Sequence, residues 1–94
     1  MIVEVNDIKV KVRDISYKNQ KKLQGHFNDV YRNGIDNVKQ KDFNYLLGEV
    51  AEIAFKSPKD KMKPYSYEEE LKILYEILLN YLELSEQSKK EKGD

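Results

Sequence analysis

The sequence predicts an α+β domain: an N-terminal two-stranded β-hairpin followed by three α-helices. Three observations carry that reading. Apolar and polar residues alternate over the first fifteen positions, three later stretches repeat at helical spacing, and turn or stop residues separate them.

Val3 and Val5, then Ile8, Val10 and Val12, are spaced by Glu4, Lys9, Lys11 and Arg13, the period of a half-buried strand. Asn6-Asp7 breaks the alternation, and both residue types tolerate the positive φ of a tight turn. A two-residue loop there sets Val5 opposite Ile8, Val3 opposite Val10 and Glu4 opposite Lys9. Apolar pairs then share one face, and a slip of one residue would turn them all to water. The hairpin spans about 2–13. A lone hairpin is marginal in water, so helices must cover it, with Leu23, Phe27 and Phe43 the expected cover.

The first helix is expected over 16–32, with Asp14 or Ser16 as its cap. Leu23, Phe27, Val30 and Tyr31 form its stripe, extended backwards by Tyr17 and Gln20. Gly25 costs helix stability there, which suggests that a neighbour passes close to it. Asn33-Gly34 is the stop. The second helix is expected over 42–56, beginning at Lys41 or Asp42. It presents Phe43, Leu46, Leu47, Val50, Ala51 and Ala54, with Ile53 and Phe55 at the border. Ser57-Pro58 should end it, because the residue before proline avoids the helical region. The basic connector 56–64 then reads as an exposed loop. Ser66 and Glu69 fit a capping box, and Glu68, Glu69 and Glu70 suit the positive end of the last helix. Residues 1–85 are expected to form one domain, with 86–94 a polar, fraying tail.

Composition excludes several classes of function. Lys+Arg 17 against Asp+Glu 17 gives zero net charge, against a generic binder of nucleic acid or of membrane surfaces. No apolar run reaches the roughly 18–20 residues of a bilayer span, and Met1-Ile2-Val3-Glu4 is not a signal peptide, so a cytoplasmic location is expected. Without cysteine there is no disulfide framework, thiolate nucleophile or cysteine metal cluster. His26 is the only histidine, at the edge of the first apolar stripe, where it reads as a packing residue. Glu49 and Glu52 are three apart on the polar side of the second helix and read as a solvated face. The four glycines are too scattered for a phosphate-binding loop. Catalytic residues, a metal site and a cofactor are therefore not expected.

The Lys56–Lys63 cluster, followed by Tyr65 and Tyr67, fits a solvated loop, a protein contact or a phosphate contact. Charge is also asymmetric: residues 1–64 carry a net +4 and residues 65–94 a net −4, which could pair halves within one chain or between copies. Ten of the fourteen residues from Leu71 to Leu84 are apolar, counting tyrosines. Such a helix must be buried on more than one side. Either it is central to the fold, or it carries an interface for a second copy or a partner. The interface would centre on Ile73, Ile77 and Leu84, off the Leu71, Leu74, Tyr75, Leu78 and Leu82 stripe. Tyr81 would flank it, with Glu70 and Lys72 at the rim. On that reading Ile77→Glu folds but loses association, whereas Leu78→Glu unfolds.

A resemblance joins these elements. Ile8-Lys9-Val10-Lys11-Val12-Arg13 runs into Asp14-Ile15-Ser16-Tyr17-Lys18. Later come Leu46-Leu47-Gly48-Glu49-Val50-Ala51-Glu52-Ile53-Ala54-Phe55, the Tyr65-Ser66-Tyr67-Glu68-Glu69 cap, and Leu79-Asn80-Tyr81-Leu82-Glu83-Leu84-Ser85. In this layout the chain resembles the small tail assembly chaperones of tailed bacteriophages. The resemblance implies a non-enzymatic protein that coats the long helical tape-measure chain in the host cytoplasm and leaves as the tail polymerises. A second class with the same charged, cysteine-free and catalytically empty character is a small phage or mobile-element inhibitor of a host defence enzyme.

Overall fold

A computed structural model describes residues 1–84; the predicted tail at 86–94 lies outside the described residues. The order of elements is β1 (Ile2–Val5), β2 (Ile8–Lys11), α1 (Tyr17–Val30), a 3-10 turn (Ile35–Asn37), α2 (Gln40–Ala54), α3 (Pro58–Met62) and α4 (Tyr67–Tyr81). The α+β class is as expected, with one short helix more than the sequence suggested.

The two strands pair antiparallel, with Val5 opposite Ile8, Glu4 opposite Lys9 and Val3 opposite Val10. Asn6 takes the positive φ of the turn, at 55°. Val3, Val10 and Val12 are buried, so the alternation read from the sequence is the alternation of the folded faces.

Ser16 caps α1 by accepting from the Asn19 amide, and α1 ends before Gly34, whose φ of 92° suits a residue without Cβ. Leu23 is the buried residue of α1, with Phe27, Val30 and Tyr31 half-buried. The stripe extends backwards to Gln20, which is half-buried, but not to Tyr17, which is 72% exposed. Nothing lies within 4 Å of a Cβ built on Gly25, so the expected close neighbour is absent. Gly25→Ala should therefore stabilise the domain by about 0.5–1 kcal/mol, read as a higher urea midpoint at unchanged slope.

Helix α2 begins two residues earlier than expected and buries Leu46, Leu47, Val50, Ala51 and Ala54. The connector is not a plain loop. Pro58 stands in the first turn of α3, where a missing amide hydrogen costs nothing, and Met62 is buried at its end. The capping box of α4 is formed in both directions: Ser66 Oγ accepts from the Glu69 amide, and Glu69 Oε1 accepts from the Ser66 amide. Ser66→Ala should cost about 1 kcal/mol, measured by the same denaturation.

The layers differ from the expectation in one respect. The helix packed against β1 is α4, which also packs against α2, while α2 packs against α1. Leu23 joins the common core and Phe27 and Phe43 sit at its margin, so they are not the hairpin's main cover. At that margin the rings of Phe43 and Tyr75, 5.9 Å apart between centroids, tie α2 to α4, while Phe27 and Tyr31 meet at 4.6 Å within the end of α1.

Candidate functional site

The proposed interface on the last helix is overturned by its burial. Ile73 and Ile77 are inaccessible and Tyr81 is 2% exposed. The reason is the position of α4, between β1 and α2, so that both its stripes are used inside the same chain. Tyr81 is further held by two hydrogen bonds. Its hydroxyl donates to the Arg13 carbonyl at 2.6 Å, and its own carbonyl accepts from Gln20 Nε2 at 2.8 Å. Of the four residues only Leu84 is exposed, and three of the four cannot reach a partner while the domain is folded. At the expected rim, Glu70 is half-buried, and Lys72 pairs with Glu68 one turn away.

His26 is half-exposed as expected, but it is not a bystander. Its Nδ1 lies 2.5 Å from Glu49 Oε2, a contact that links α1 to α2. Glu49 is thus half-buried and partnered, while Glu52 is exposed. Among the described residues no group of three or more histidine, aspartate and glutamate side chains could hold a metal ion. None of their helices is long and apolar enough to cross a membrane.

A different surface brings chemistry together. Arg13 leaves the end of the hairpin and crosses to the C-terminus of α2, where its Nη2 donates to the carbonyls of Glu52 and Phe55 at 2.9 and 3.0 Å. A cation is well placed there, since the last carbonyls of a helix are unpaired and its dipole is negative. The Arg13 amide also donates to the Ala54 carbonyl at 3.1 Å. The strand end and the helix end are thereby fixed to each other.

An open groove of about 720 Å³ runs along this junction. Met1, Val12, Ala54 and Phe55 contribute its apolar wall, and Lys11, Lys56 and Lys61 line it together with two carboxylates, Asp14 and Asp60, so that the cations are in excess. Among the described residues these three lysines are in no ion pair. The N-terminal amine at the same place is engaged, bonded to the Val12 carbonyl and 3.5 Å from Asp14. A second groove, lined by Gly48, Ala51 and Lys59, shares Phe55 and Lys56 with the first. The basic connector picked out in the sequence is therefore one wall of a cleft. Its other wall, Lys11 to Asp14, is some forty residues away in the chain and left no local signal.

Against known proteins the comparison is empty: no family model, curated protein or solved structure matches the chain.

Proposed function

We propose that this chain is a non-enzymatic protein-binding module that uses the groove between the hairpin end and the α2–α3 corner. The observation that carries the reading is the pairing of an apolar wall with three lysines that are in no ion pair among the described residues. An apolar wall gains by excluding water, and rim charges select the partner and speed its encounter. Within this reading the resemblance to tail assembly chaperones gives the finer proposal, a tape-measure-like chain as the partner.

Affinity capture with the tagged chain, followed by identification of what is bound, tests this. A long helical tail protein is the expected result, retained by a His26→Ala variant. Capture of one folded host enzyme would replace the chaperone reading with that of an inhibitor. Turnover that disappears in a folded His26→Ala variant would overturn the binding reading altogether.

A further inference from the structure

The groove continues into an open strand edge, and the two together specify what kind of segment fits. In the hairpin ladder Val3 faces Val10, and the Val12 amide and carbonyl are bonded to Met1. Successive residues of an antiparallel strand point their backbone groups to opposite sides. The amides and carbonyls of Lys9 and Lys11 therefore point outward, away from β1. Arg13 has the same parity, and its amide meets the Ala54 carbonyl, which shows that this edge runs up to the end of α2. Among the described residues no hydrogen bond is made by the outward groups of Lys9 and Lys11.

We propose that β2 accepts an extended polypeptide segment as a third strand, one that alternates acidic and apolar residues. The inference rests on the protein-binding reading and names the partner's chemistry. Backbone donors and acceptors in alternation along an edge match another polypeptide backbone, not a row of phosphates. Side chains of the added strand would alternate between the two faces of the sheet. On the solvent face they would neighbour Lys9 and Lys11, and opposite charge is favoured there. On the other face they would neighbour Val10 and Val12 and enter the groove beside Ala54 and Phe55, with Lys56 and Lys61 at its mouth. Lysines on an open edge deter pairing with neutral or basic strands and with a second copy of the same edge. An acidic strand is the occupant they admit.

The probe is a fluorescein-labelled, capped peptide of alternating glutamate and valine, titrated by anisotropy into the full chain. The comparison probes are the lysine–valine peptide, the glutamate–valine peptide N-methylated at alternate amides, single-stranded DNA, and vesicles of phosphatidylserine and phosphatidylcholine. Binding of the glutamate–valine peptide with a Kd on the order of micromolar is expected, weaker by at least about tenfold after N-methylation. The same loss is expected for the exposed double variant Lys11→Glu/Lys61→Glu, its fold verified by circular dichroism. No binding of that peptide overturns the proposal, as does binding indifferent to N-methylation, which would make the site a charged patch alone. Tighter binding of DNA or vesicles would also overturn it. If the peptide fails while the chain still captures a protein partner, the strand-addition mode falls and the binding-module reading stands.

Discussion

Replacing Ile77 with glutamate is expected to unfold the domain. Ile77 is wholly inaccessible on the central helix, and a carboxylate there has neither water nor a cation to pair with. The cost should exceed about 5 kcal/mol, the lower end of the entire stability of a typical domain. Leu78→Glu should behave alike, since Leu78 is equally buried. Milder changes grade the effect: Ile77→Val should cost about 0.5–1.5 kcal/mol and Ile77→Ala about 2–5 kcal/mol. Circular dichroism and urea denaturation read all four. An Ile77→Glu variant that folds with native helicity would remove α4 from the centre of the fold.

The second large effect is expected at Tyr81 and depends on pH. Burial pushes its phenol from an ordinary value of 10.0 up to about 12; Arg13 opposes the shift and Asp14 adds to it. Between those values the unfolded chain releases the phenolic proton while the folded chain keeps it. The contribution is thus intact below pH 10 and is lost as pH rises toward 12, with a slope of at most about 1.4 kcal/mol per pH unit. Tyr31 is raised in the same direction, by burial and then by the neighbouring Tyr75, so its titration steepens the fall. Tyr81→Phe should cost about 1 kcal/mol at neutral pH, through the lost bond to the Arg13 carbonyl. It should also flatten the decline above pH 10, and Tyr81→Ala should cost about 3–5 kcal/mol. Urea midpoints for the parent and Tyr81→Phe at pH 8 to 12 check the sign. Parallel curves would mean that the phenol is not buried in the folded state.

What the sequence made legible was local. The hairpin register followed from a period of two closed by Asn6-Asp7, because only one pairing puts all the valines on one face. Ser66 and Glu69 marked the start of α4 for the same reason: a cap is a relation over three residues. The partner of an apolar face is a different kind of fact. Excess apolar residues from Leu71 to Leu84 showed that the helix is covered on several sides, but not that β1 from the same chain does the covering. Pro58 was legible as a boundary, yet it both follows one helix and opens the next. The candidate site was half visible. Lys56 and Lys61 stood out as a basic cluster, whereas the bond of Arg13 to the Phe55 carbonyl spans 42 residues. The pairing of His26 with Glu49 spans 23, and neither residue's neighbours foretell it.

Amide hydrogen exchange of the isolated chain, measured residue by residue over a wide range of protein concentration, tests the central position of α4 most directly. The amides of Ile73, Leu74, Ile77 and Leu78 should be among the slowest in the molecule, exchanging only through global unfolding. Their protection should not change on dilution, because the chain's own strand and helices provide it. Protection that falls as the protein is diluted would show that a second copy covers this helix, and would contradict the account.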